Sequence, residues 1–226
     1  TQQGEDVLAA AYAHRLGLLQ VLVEESDAGI EWLDRAVTTA EEQSEHRAHI
    51  GALLGRARAH LELGHLDRVF ADIEHAEKLA QASPDENAAP LRWARFMRAD
   101  LAARRGDHAS ALRQINAVLD EIGYPKVRVA NQLAPMLTLK SRAELALRQD
   151  SAALDTAIGA VEIAQANAPY PERSAHVGAA LMALAEAQRA TGSVEASRAS
   201  AARAASALAA GLGEGHSATV AAAAFR

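Results

Sequence analysis

Cysteine is absent from the 226 residues, which removes disulfides, thiol nucleophiles and thiolate metal sites from the chemistry this chain can perform. Aromatic residues are scarce, at 4%, while alanine fills roughly a quarter of the sequence. An interior built from such residues requires small side chains on closely approaching helices. No apolar stretch approaches the ~20 residues of a membrane-spanning helix. The opening Thr1-Gln2-Gln3-Gly4-Glu5-Asp6 has no signal-peptide pattern, and a start without methionine reads as a fragment cut from something larger. An excess of positive charge is also lacking. With 29 acidic against 23 basic residues and a net charge of -6, the chain has no general attraction for nucleic acid or anionic lipid. No segment alternates apolar and polar residues with period two, which predicts no sheet.

What is present is an internal repeat. Gly64-His65-Leu66-Asp67, Gly106-Asp107-His108-Ala109, Gln149-Asp150-Ser151-Ala152 and Gly192-Ser193-Val194-Glu195 are short polar turns, each following an alanine- and leucine-rich run. Apolar or small residues then return at i, i+4 and i+7: Val69, Ile73, Ala76; Ala111, Ile115, Val118; Leu154, Ile158, Val161; Ser197, Ala201, Ala204. This is the spacing of one helix face. A more degenerate first copy fits Gly29, Leu33 and Ala36. The sequence therefore predicts an all-α, right-handed solenoid of about five antiparallel helix pairs, over 6–43, 44–83, 84–124, 125–168 and 169–211, with a short C-terminal helix over 217–225.

The punctuation agrees. All six prolines, Pro84, Pro90, Pro125, Pro135, Pro169 and Pro171, fall between one unit's second helix and the core of the next unit's first helix. Ser83-Pro84-Asp85-Glu86 reads as a helix start with Ser83 as N-cap. Pro90 and Pro135 either bend a long first helix or mark its late start. Gly211, Gly213 and Gly215 stop the last long helix, and Ser217 caps the final one.

The pattern resembles the tetratricopeptide repeat over essentially the whole chain. The matching positions are Gly17, Ala57, Ala99 and Ala185 for the small residue of the first helix, Gly64, Gly106 and Gly192 for the turn, and Ala36, Ala76 and Ala204 on the second helix. Arg142 takes the small position of the fourth copy, Glu24 and Gln149 replace the turn glycine, and the family's first-helix tryptophan is missing. The unit of about 42 residues, with the ending Leu212-Gly213-Glu214-Gly215-His216-Ser217-Ala218-Thr219, looks like the long repeats of kinesin light chains and of the tails of bacterial serine/threonine protein kinases. The resemblance implies a protein- or peptide-binding region of a larger signalling protein. Two alternatives stand beside it, a small-ligand or peptide-sensing domain of a transcriptional regulator and a structural self-association scaffold.

No residue set offers a nucleophile, a base and an orienting group, so no enzyme is expected. His46 and His49 share helical i, i+3 spacing, but no further ligands accompany them, and surface histidines are the expectation. No cofactor or metal is expected. Acidic pairs such as Glu24-Glu25, Glu41-Glu42 and Asp120-Glu121 read as solvated charge. Arg92-Trp93-Ala94-Arg95-Phe96-Met97-Arg98 is the most distinctive segment, because arginine and tryptophan often dominate interfaces. The expected partner-binding face, on the first helices, comprises Arg58, Glu62, Trp93, Phe96, Asp100, Arg104, Lys140 and Arg189, with Glu186 beside them. Leu54, Leu61, Leu139 and Leu147 either form apolar pockets there or are buried between helices. The expected partner is a protein or peptide, with no nucleic acid and no membrane insertion; compartment and oligomeric state stay open.

Overall fold

The computed structural model describes residues 2–24, 27–127 and 132–225, with side chains from Ala11 onward except that of Glu24. Among the described residues eleven α-helices follow one another: α1 (Gln2–Glu24), α2 (Ala28–Glu42), α3 (His46–Glu62), α4 (Leu66–Ala80), α5 (Ala88–Arg104), α6 (His108–Ile122), α7 (Leu133–Ala146), α8 (Asp150–Asn167), α9 (Ala175–Ala190), α10 (Val194–Leu212) and α11 (Ser217–Ala224). No strand occurs among the described residues. Two compact units divide between Arg105 and Gly106, a point inside the third expected repeat. In the first unit α1 packs on α2, α2 on α3, α3 on α4 and α4 on α5; in the second α6 packs on α7, α7 on α8, α8 on α9, α9 on α10 and α10 on α11.

Within each unit the tight turns explain why consecutive helices run antiparallel. Gly64, Gly106 and Gly192 adopt left-handed φ values of 75°, 86° and 83°, the conformation that ends a helix and that glycine adopts without steric cost. Around Gly64 the reversal is closed by His65 N–H donating to the His60 carbonyl and Gly64 N–H to that of Leu61. The same pair of bonds recurs around Gly192, from Ser193 to Gln188 and from Gly192 to Arg189.

The fourth turn corrects the sequence reading. The left-handed residue there is Arg148, at φ 60°, with Gln149 N–H bonded to the Glu144 carbonyl and Arg148 N–H to that of Leu145. Counting five, nine and twelve residues on from the turn now gives Ala153, Ala157 and Ala160, all fully buried like Val69, Ile73 and Ala76 or Ala111, Ile115 and Val118. Ile158, assigned to this core from sequence, is 43% exposed. The slip of one residue also moves the small position of the first helix from Arg142 to Ser141, which is fully buried like Ala57, Ala99 and Ala185.

Helix starts differ from expectation at two places. Residues 83–87 form turns, and α5 begins at Ala88 behind Asn87, whose Nδ2 donates to the Ser83 carbonyl. Pro90 therefore lies in the first turn of α5, as Pro135 does in α7, positions where a missing N–H costs nothing. At the last helix His216 is the cap in place of Ser217, its Nδ1 accepting from Ala218 N–H at 3.1 Å.

Candidate functional site

Two positions on each first helix lie six and two residues before the turn, one helical step apart on the same face. In the first unit they hold Arg58 and Glu62 on α3 and Asp100 and Arg104 on α5. The four charges are joined. Arg58 pairs with Glu62 at 2.6 Å, Arg104 reaches Glu62 at 3.6 Å, and Arg104 Nε donates to Asp100 at 3.0 Å. Arg104 also donates to the Leu61 carbonyl at 2.8 Å, which ties α5 to the end of α3. Burial disfavours the charge of Arg104, but Asp100 and Glu62 outweigh it and hold its pKa above the ordinary guanidinium value. This ladder is neutral within itself and cross-links two first helices.

In the second unit the same positions are occupied differently. Arg142 on α7 bonds Glu186 on α9 at 3.0 and 3.3 Å, but the positions two before the turn are Ala146 and Ala190, so no second charge pair fills the space. A cleft of about 360 Å³ opens there. Arg142, Arg148 and Arg189 line it with Glu186, Asp150 and Leu145. Three arginines and two acidic residues thus line it, and Arg189 lies over the Phe225 ring at 4.1 Å. The planar fork of arginine suits carboxylate recognition. Arg142 and Arg148, absent from the sequence-derived set, belong here; both were hidden by the one-residue slip in the fourth repeat.

The other expected residues are distributed as follows. Trp93 is half-buried and tilts against Phe96 with ring centroids 4.7 Å apart. Phe96 is 3% exposed, so its assignment to a contact surface is corrected: it is a core side chain. Lys140 is half-buried. It lies two residues before Arg142, about 200° around the helix, where it bonds Glu144 and approaches Thr156 of α8 at 3.5 Å. Its counterpart Arg56 shows the same inward role, bonding Asp72 of α4 and Asp34 of α2; the hydrogen bond to Asp72 is the main cause that raises its pKa, against burial, with Asp34 adding. Arg98 is held by Glu77 of α4 at 2.5 Å and lies over Phe70. Leu54 and Leu61 are buried, while Leu139 and Leu147 are half-buried.

Among the histidines His46 is exposed, but His49 is buried and meets His75 edge-on, contrary to the surface position expected. No group of three metal-ligating side chains occurs among the described residues, and no described helix is long and apolar enough to cross a membrane. Of the acidic pairs, Glu25 lies outside the described residues.

This arrangement, small residues buried between helices and charged residues along the first helices, is a tetratricopeptide-like helical-repeat fold. Solved structures carry the same fold. BtubC (BKLC) from P. vanneervenii is 12% identical, with a TM-score of 0.58 and 90% of each chain covered. A Podosopora anserina putative kinesin light chain with nearly identical TPR-like repeats is 16% identical at a TM-score of 0.56, over 88% of this chain and 94% of that one; a point-substituted form of that protein gives 0.59 over the same shares. No protein-family model matches the sequence, and no curated protein does so either.

Proposed function

We propose that this chain is a non-catalytic binding module that takes a protein or peptide partner through its first-helix face, with an acidic segment seated in the cleft between α7 and α9. The observation that carries the reading is the lining of that cleft, where Arg142, Arg148 and Arg189 stand with two acidic residues. An open, charged cleft suits a polypeptide better than the enclosed, mostly apolar pocket of a small-ligand sensor. The finer reading is that the module is the regulatory C-terminal region of a bacterial signalling protein such as a serine/threonine kinase; it rests on the resemblance of the long repeat unit and of the ending 212–219.

The test is affinity capture from cells of the source organism by the intact chain and by an Arg142→Glu/Arg189→Glu form, with Arg58→Glu/Arg104→Glu as a second arm. A protein retained by the unmutated chain and lost with the cleft reversal supports the reading. Equal retention by both removes the cleft from the binding surface.

A further inference from the structure

His60 and His65 stand on either side of the glycine turn that joins α3 to α4. The turn brings them together, because His65 N–H donates to the His60 carbonyl at 2.8 Å, the kind of bond that closes a helix end. Their rings then meet through the same atom. The two Nδ1 nitrogens are 3.4 Å apart and the ring centres 5.6 Å apart, so the nitrogens lie between the rings. One N–H donates there to one lone pair, and only one of the two Nδ1 atoms can carry a hydrogen. His65 Nε2 lies 3.7 Å from Oδ1 of Asp27, in the turn before α2, which favours a hydrogen on that Nε2 and leaves His60 Nδ1 as the donor. The equivalent positions of the other turns hold Ala102 and Asp107, Glu144 and Gln149, and Gln188 and Ser193, so paired imidazoles occur at this turn and not at those.

We propose that the His60–His65 pair is a two-step proton switch: a first proton fastens the α3–α4 turn to Asp27, and a second parts the two rings. Imidazole is the side chain that changes charge nearest neutral pH. The first proton gives His65 a hydrogen on both nitrogens, and His60 accepts at Nδ1 by carrying its own hydrogen on Nε2. The contact between the rings is kept, while the approach of His65 to Asp27 becomes an ion pair. A second proton leaves two N–H groups facing each other, so the pair loses its hydrogen bond and gains like-charge repulsion. His60 is buried, and its charge is poorly solvated there. The other charged groups around the pair relieve this little. Arg56 of α3 and Arg68 of α4 are cations, and the carboxylate that acts on His60, Asp72 of α4, is held by Arg56 through two hydrogen bonds. Asp34 of α2 is bound to Arg56 as well. Burial, then His65 and the two arginines, hold His60 below the ordinary imidazole value, and Asp72 opposes them. This places the second step well below the first.

The test is the imidazole titration followed by NMR on the full chain, unmutated and as Asp27→Asn and His65→Gln, with circular dichroism to verify that each is folded. In the unmutated chain the pair is expected to take up its protons in two steps about 1 pH unit or more apart. Asp27 is exposed, and Asp27→Asn is expected to lower the first step by about 0.2–0.7 pH unit, the shift that an exposed ion pair supports. His65→Gln is expected to leave His60 with a single step, at a higher pH than the second step of the pair. Independent titration of the two rings, a first step unmoved by Asp27→Asn, or a His60 midpoint unmoved by His65→Gln would each overturn the proposal.

Discussion

Ser141 Oγ donates a hydrogen bond to the carbonyl oxygen of Ala153 at 2.8 Å, from the first helix of its pair to the second. In the next pair the relationship is reversed. Ser197, the counterpart of Ala153, donates to the carbonyl of Ala185, the counterpart of Ser141, at 2.7 Å. Both serines are buried, and each hydroxyl finds its acceptor only because the two helices cross closely at this point. Removing the hydroxyl in Ser141→Ala is expected to cost about 1 kcal/mol, the net value of such a bond. Ser141→Val adds bulk at the crossing and is expected to cost about 1–3 kcal/mol more. Chemical denaturation of the two variants checks the order.

The first pair carries the same crossing with no side chain at all. A Cβ built on Gly17 meets the Gly29 carbonyl oxygen at 2.6 Å, and one on Gly29 meets the Gly17 carbonyl oxygen at 2.5 Å. Backbone cannot yield as a flexible side chain does. Gly17→Ala is therefore expected to destabilise by about 1–3 kcal/mol. Gly51→Ala, in α3 with nothing within 4 Å of the added atom, is expected to gain about 0.5–1 kcal/mol from helix propensity. Opposite shifts in denaturation midpoint are the expected result.

Arg148 holds a left-handed conformation that glycine takes at the equivalent turns. Such a conformation costs a side-chain-bearing residue about 1 kcal/mol or more. Arg148→Gly is expected to raise stability by about 1 kcal/mol while removing one of the three cations of the cleft, so thermal stability and partner capture should move in opposite directions.

Three histidines of the first unit are held below the usual imidazole value of 6.5. Burial is the main cause at each. Arg15 adds to it at His14. At His49 the neighbouring His75, together with His46 and Arg56, adds to it, and Glu41 opposes it. At His60 Asp72 opposes it, while His65, whose Nδ1 lies 3.4 Å from that of His60, and Arg56 and Arg68 add to it. A lowered folded pKa means that the unfolded chain binds protons more readily. The contribution is intact above 6.5, the unfolded value, and is lost as pH falls below it. The melting temperature is expected to fall as pH drops below about 6.5. His49→Leu, at a site where Nε2 has no hydrogen-bond partner, is expected to shrink that drop.

The repeat was legible wherever its chemistry is distinctive. Glycine marks the turns at Gly64, Gly106 and Gly192, and small residues mark Gly17, Ala57, Ala99 and Ala185, because left-handed backbone and close helix approach each restrict the residue type. The fourth turn uses arginine, so nothing chemical fixed its register, and Ile158 drew the alignment toward a more hydrophobic but exposed position than Ala157. From that slip followed the misplacement of Arg142. Phe96 was misassigned for another reason: an aromatic beside arginines has the composition of an interface, and only packing distinguishes it from a core residue. The charge ladder depends on which side chains face each other across helices, which the periodicity of a single helix does not determine.

Binding of a polypeptide partner by the arginines of the cleft between α7 and α9 is the central claim. Affinity capture with the intact chain beside Arg142→Glu/Arg189→Glu, both verified as folded by circular dichroism, tests it most directly. The expected result is a protein held by the first and released by the second. A partner held equally by both, or none held by either while a small molecule raises the melting temperature of the intact chain, would contradict it.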